Sequence, residues 1–360
     1  MLKLQKNELS KNTKKTMKQR VTSSVFMAIF LIVLFVIGVL ADTVNQWSPL
    51  DKTGQTISAW IFLVYLLPLI IICAKEICNI YFKFKTIPYL VILINMLVLV
   101  YAPTFIYFLK YYGYIDLDIG NFYTSMTVTN IFAITLAASI LFVVVNSTLL
   151  LWYYGIINFK NWVIFNLLTG VISGFFLGIF FFMFTRGWLT LLWLMLLVFG
   201  SDIFAYFGGV FFGKHKMAPK ISPKKTWEGF GVGLFLTVGI GLLILLGYSF
   251  INHQPDVLKQ IMGIQFQKET NYINGNQMAN KPYWWVTMLF ITIGICLLSV
   301  FGDLTFSWFK RKYRIKDYGT LIPGHGGVID RIDSHSVVIS FYFVLSFFIA
   351  LAAKTVVFFN

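Results

Sequence analysis

Nine apolar stretches in this chain are long enough to cross a lipid bilayer as helices: 21–41, 57–74, 87–109, 127–151, 161–184, 188–212, 227–250, 285–309 and 335–359. A helix needs roughly 20 apolar residues to span the hydrocarbon core. Backbone polar groups find no water there, so such runs must satisfy their own hydrogen bonds, which a helix does. The fold class that follows is all-α, a polytopic integral membrane protein with about nine transmembrane helices. Composition agrees. Of 360 residues, 58% are hydrophobic and 12% charged, whereas a soluble domain carries about 25% charge. A disordered chain, a disulfide scaffold and a DNA-binding domain of ordinary type are excluded. Cys73, Cys78 and Cys296 lie in or beside apolar runs without the paired spacing of a metal site. They read as reduced thiols that pack as small hydrophobes.

The formal charge of +15 is explained by where it falls. With the N-terminus on the cytoplasmic side, 22 of the 29 Lys and Arg residues lie on that side, six lie opposite, and Lys354 sits in the last span. Such a split is the positive-inside signal. It accounts for the charge through anionic lipid headgroups and calls for no nucleic acid. The expected location is the cell membrane, multi-pass, with the N-terminus and the two richest basic loops cytoplasmic. Residues 21–41 are too long an apolar run for a cleaved signal and read as an anchor. The chain divides into a basic tail (1–20), an N-terminal transmembrane region (21–184) and a C-terminal transmembrane region (185–360) that holds the polar motifs.

Those motifs occupy 200–229 and 302–334. Asp202 and Asp303 lie inside predicted spans, where a carboxylate is costly and needs a polar cavity, a cation or a basic partner. A structural ion pair between helices is the plain alternative. Asp330 and Asp333 are three apart, so a helical turn puts both on one face. With Asp303 they can form a carboxylate cluster at the cytoplasmic end. Few hard oxygen ligands beside basic residues suit Mg²⁺ that also holds a phosphate. Gly324, Gly326 and Gly327 flank His325 in a turn whose N–H groups can bind an anion, and Lys310, Arg311, Lys316 and Arg331 surround it in sequence. Ser222, Lys224 and Lys225, set by Pro223, offer a second phosphate or headgroup contact. Asp317 and Glu228 are further acids in the same zone, equally readable as partners of neighbouring bases. Together these features describe a polyanion site at the inner membrane surface, suited to a nucleotide reacting with a phospholipid.

The residues from Ser307 to Asp333, with Phe309-Lys310-Arg311, Lys316-Asp317, Gly319, Ile322-Pro323, His325-Gly326-Gly327-Val328 and Asp330-Arg331-Ile332-Asp333 in place, resemble the signature of the phosphatidate cytidylyltransferase (CDP-diacylglycerol synthase) family. Ser201-Asp202, Ala205-Tyr206, Phe212-Gly213-Lys214, Pro219 and Ser222 to Trp227 are similar to a second block of that family. Val210 departs, standing where many members carry Lys or Arg. The first 150 residues match in hydropathy only. The resemblance implies a nucleotidyltransferase of phospholipid biosynthesis that acts on CTP and bilayer phosphatidate to give CDP-diacylglycerol and pyrophosphate. It also implies a divalent metal and a homodimer. Asp303 and Asp330 are the expected Mg²⁺ ligands, with Asp333 as a third ligand or as an orienter of Arg331. Lys310, Arg311 and Lys316 are expected on the triphosphate, and Gly324 to Gly327 on phosphate. Ser222, Lys224 and Lys225 are expected on triphosphate or lipid phosphate, with His325 and Ser307 at the site. Asp202 is expected deeper, near a possible second cation.

Two other classes fit parts of this inventory. A CTP-dependent lipid alcohol kinase would use similar groups plus a base, for which His325 is available, and would release CDP. A secondary transporter of an anionic solute also uses intramembrane acids, but the chain has no paired repeat halves and its polar residues crowd one surface.

Overall fold

The computed structural model describes residues 22–23, 25–41, 52–111, 128–156, 158–185, 188–252, 283–323 and 326–352. The apolar stretches form helices: α1 (Val25–Ala41), α2 (Lys52–Phe82), α3 (Thr86–Tyr111), α4 (Val128–Tyr153), α5 (Phe159–Thr185), α6 (Trp188–Phe212), α7 (Trp227–Asn252), α8 (Tyr283–Lys312) and α9 (Ile329–Ala352). Seven of them, α2 to α8, are long and apolar enough to cross a membrane. The only sheet among the described residues is a small antiparallel hairpin between α6 and α7, β1 (Lys216–Ala218) and β2 (Ser222–Thr226).

Two helices run further than hydropathy predicts. The second span was expected to stop at 74, yet α2 continues to Phe82 and carries Lys75 and Glu76 inside the helix. The last was expected from 335, yet α9 starts at Ile329, so Asp330 and Asp333 belong to its opening turns rather than to the preceding loop. In both places a tertiary partner, described below, satisfies the polar group that hydropathy counts against a helix.

The most deeply buried of the seven is α5, and it lies against α9, α3, α6, α4 and α2. The most extensive packing joins α6 to α7. Apolar burial gives little drive between helices in lipid, so close approach through small residues has to supply the contact. A Cβ on Gly229 would stand 2.6 Å from the Ala205 carbonyl oxygen, and one on Gly233 would stand 2.8 Å from the Ala205 Cβ. Hence α6 passes through Gly208 and Gly209 without ending: these glycines face α7 (Val232 and Gly229 respectively). All three cysteines are free and buried.

Candidate active site

The site is assembled where α6, β2, α8 and α9 meet. In β2 Lys225 is half-buried and Lys224 exposed, and the Lys225 ammonium reaches Asp303 Oδ2 on α8 at 2.7 Å. One turn further along α8, the Ser307 hydroxyl donates to Asp303 Oδ1 at 3.2 Å. Asp202 on α6 lies within electrostatic reach of Asp303 and Lys225. Asp333 on α9 lies within reach of Asp303, Lys310 and Asp202. Three carboxylates from three helices therefore face two lysines. The cluster expected from the sequence joined Asp303 to both Asp330 and Asp333; in this group Asp333 stands with Asp303 and Asp202.

Asp330 sits differently. It is buried. Its Oδ2 accepts the Tyr318 N–H at 2.7 Å and the Gly327 N–H at 2.9 Å, and its Oδ1 accepts the Lys310 ammonium at 3.0 Å. The same ammonium lies over the Tyr318 ring, 5.6 Å from its centroid. The Tyr318 hydroxyl donates to the Phe306 carbonyl. Burial, reinforced by the neighbouring Asp330 and Asp333 carboxylates, pushes that phenol well up, so it stays protonated.

The glycine turn closes on itself. Gly326 and Ile322 exchange backbone hydrogen bonds, and Gly326 has a φ of 89°, a conformation that glycine adopts without steric cost. The N–H groups of Gly326 and Gly327, expected to cradle phosphate, are thus engaged by Ile322 and Asp330, so in this conformation phosphate contacts fall to other donors. Gly324 and His325 lie outside the described residues. Lys316 and Arg331 are exposed beside the turn, Ser222 is half-buried in β2, and Asp317 is exposed. Arg311 donates its Nε–H to the Ile221 carbonyl at 3.3 Å, tying the hairpin to the end of α8. Glu228 accepts the Lys214 and His215 N–H groups and pairs with the His215 ring, closing the base of the hairpin.

Sequence reasoning passed over Glu76. This buried acid on α2 accepts the Val328 N–H on Oε1 at 2.8 Å and the Ile329 N–H on Oε2 at 2.9 Å. Five residues on, Tyr81 receives a hydrogen bond from the Tyr313 hydroxyl at 3.0 Å. The available signal was an acid followed by further apolar residues, Ile77, Ile80 and Tyr81, at helical spacing.

A metal has to fit these donors. Among the described residues no group of three or more His, Cys, Asp or Glu forms a metal cage. What the site offers is carboxylate oxygens that already face cations, Lys225 on Asp303 and Lys310 on Asp330. Mg²⁺ takes only one or two carboxylates when water and substrate phosphates complete its shell. The partly open carboxylate of Asp303 fits such a shell, whereas Asp330 is engaged by Tyr318, Gly327 and Lys310 and joins it only by exchanging Lys310 for the metal.

Comparison with known proteins adds the following. The cytidylyltransferase family model matches residues 18–349. A protein named putative phosphatidate cytidylyltransferase in Mycoplasma pneumoniae is 38% identical over 186 residues, 47% of this chain and 46% of that protein. Phosphatidate cytidylyltransferases of Haemophilus influenzae and Rickettsia bellii are 37% and 38% identical. Those matches cover 46% and 41% of this chain and 48% and 53% of the relatives. The chain thus spans about half the length of the curated relatives it matches.

Proposed function

Since the chain belongs to the cytidylyltransferase family, we propose that it transfers the cytidylyl group of CTP to phosphatidate, giving CDP-diacylglycerol and pyrophosphate. A phosphate oxygen of the lipid forms a bond to the α-phosphorus of CTP, and the bond from that phosphorus to the bridging oxygen breaks, so pyrophosphate leaves with the electron pair. A phosphate monoester is largely ionised near neutral pH, its second pKa being about 6. The attacking group therefore needs no strong base. The difficulty is to align two anions that repel each other and to neutralise the leaving group.

The observation that carries this reading is the meeting of Asp202, Asp303 and Asp333 with Lys225 and Lys310 at the end of the helix bundle where the basic loops lie. The lysines hold phosphate charge, and Arg311, Lys316 and Arg331 add to it from the exposed rim. Lys224 faces outward, toward lipid phosphate. Asp303 and Asp330 would hold Mg²⁺. Bound there, it neutralises charge on the reacting phosphates as in phosphoryl transfer generally. The chain sits in the cell membrane with this end cytoplasmic and functions as a homodimer.

The test is product analysis with purified protein, labelled CTP and phosphatidate across a Mg²⁺ titration. CDP-diacylglycerol and pyrophosphate are expected from the wild type, and loss of turnover in Asp303→Asn and in Asp330→Asn. Release of CDP instead would make the protein a lipid kinase. Turnover at the wild-type level in both variants would remove the metal assignment.

A further inference from the structure

The first turn of α9 carries Asp330, yet it has no cap of its own. The first helical bond of α9 runs from the Ile332 N–H to the Val328 carbonyl, which makes Val328 the N-cap residue. Valine offers no side-chain oxygen to the orphan N–H groups that open a helix. The missing acceptors come from 252 residues earlier in the chain: Glu76 takes the Val328 and Ile329 N–H groups, one on each carboxylate oxygen. Asp330 takes the N–H just before them, that of Gly327. Two carboxylates thus divide three consecutive backbone donors, and a negative charge at a helix N-terminus is further favoured by the helix dipole.

The fit around Glu76 is close on two sides. A Cβ on Gly319 or on Gly327 would stand 2.5 Å from Glu76 Oε1, so both glycines leave room for the carboxylate. The brace extends along the same loop. Tyr313 is bonded to Tyr81 of α2, and the Ser23 hydroxyl donates to the Pro323 carbonyl. The glycine turn, the start of α9 and Asp330 are therefore held from the half of the chain in which the sequence shows few polar landmarks.

We infer that Glu76 is a positioning residue for cytidylyl transfer: by capping α9 it fixes the Gly326–Asp330 turn and so sets the direction in which Asp330 presents its carboxylate. It touches no reacting atom. The inference rests on the proposed reaction only where activity is read.

The experiment compares wild type, Glu76→Gln (same shape, one acceptor and the charge lost) and Glu76→Met (similar length, both acceptors lost) in lipid nanodiscs. Hydrogen exchange is followed at the Val328 and Ile329 amides, with kcat, KM for CTP and the Mg²⁺ requirement alongside. Slow exchange at both amides is expected in the wild type. In Glu76→Gln it should be faster by roughly tenfold or more, as loss of a charge-assisted hydrogen bond implies. The Mg²⁺ requirement should rise and kcat fall by roughly 10- to 100-fold, the size of effect seen when the support of a metal ligand is lost, here transmitted through the backbone of the turn rather than by contact with Asp330. KM for CTP should stay unchanged, and Glu76→Met should be worse than Glu76→Gln.

Wild-type amides that exchange as fast as the surrounding loop would overturn the inference, and that measurement decides even where a variant does not fold. So would variants with a lowered melting temperature but normal kcat and Mg²⁺ requirement, since that is a purely structural role. Failure of the wild type to make CDP-diacylglycerol would sink the proposed reaction, while the exchange result would still decide whether Glu76 holds the turn.

Discussion

Asp330 and Asp303 have the same side chain and opposite surroundings. Asp330 is buried among two N–H donors and an ammonium, whereas Asp303, partly open, faces Lys225 and Ser307. An asparagine at 330 cannot accept from all three donors, and it leaves the Lys310 charge without its partner. Asp330→Asn should therefore lose about 1–3 kcal/mol of stability together with turnover. Asp303→Asn should lose turnover with little change in melting temperature. Thermal unfolding in detergent, measured beside CTP turnover, checks this; an Asp303 variant as unstable as the Asp330 variant would contradict it. Asp202 and Asp303 were legible in the sequence through the cost of an acid inside a span, and Asp330 and Asp333 through their spacing of three. Glu76 was not, because its partners are backbone amides, and a backbone amide leaves no mark in a sequence.

At the scale of elements, the closest packing is the α6–α7 crossing, and the hairpin that carries Lys225 is strung between those two helices. Gly233 has the Ala205 Cβ, amide nitrogen and Cα within about 3 Å of where its own Cβ would be, and side-chain atoms added to such a contact cost about 1–3 kcal/mol. Gly233→Val should lower the melting temperature accordingly. It should also reduce turnover beyond the loss of folded protein, since separating α6 from α7 moves Asp202 relative to Lys225. Unchanged kcat in the folded fraction would show that the crossing does not set the site. Hydropathy marked each of the nine helices among the described residues. It misjudged the Phe82 end of α2 and the start of α9, ending the one before Glu76 and beginning the other after Asp330. The hairpin over 216–226 escaped it too. Its basic residues read as a phosphate or headgroup contact on a loop, not as a strand pair, and the contacts of Glu228 at its base and of Arg311 at Ile221 come from outside it.

For the whole molecule, the basic loops, the turn before α9 and the Phe82 end of α2 gather at one end of the bundle, the end proposed above to be cytoplasmic from the Lys/Arg distribution. CTP enclosed with that face should support synthesis, and CTP confined to the other side should not. A radiolabel assay in sealed vesicles of known orientation checks this, and synthesis from the opposite side alone would reverse the topology. The division of the chain at 184 is crossed by direct bonds, from Glu76, Tyr81 and Ser23 to the last basic loop and α9, so neither portion is expected to work without the other. The three thiols, all hidden within the helices, make orientation open to a simple chemical readout. A maleimide that cannot enter lipid should leave the native fold unmodified, so a lone Lys224→Cys probe would report its own compartment against a silent background, reacting only after intact cells are permeabilised.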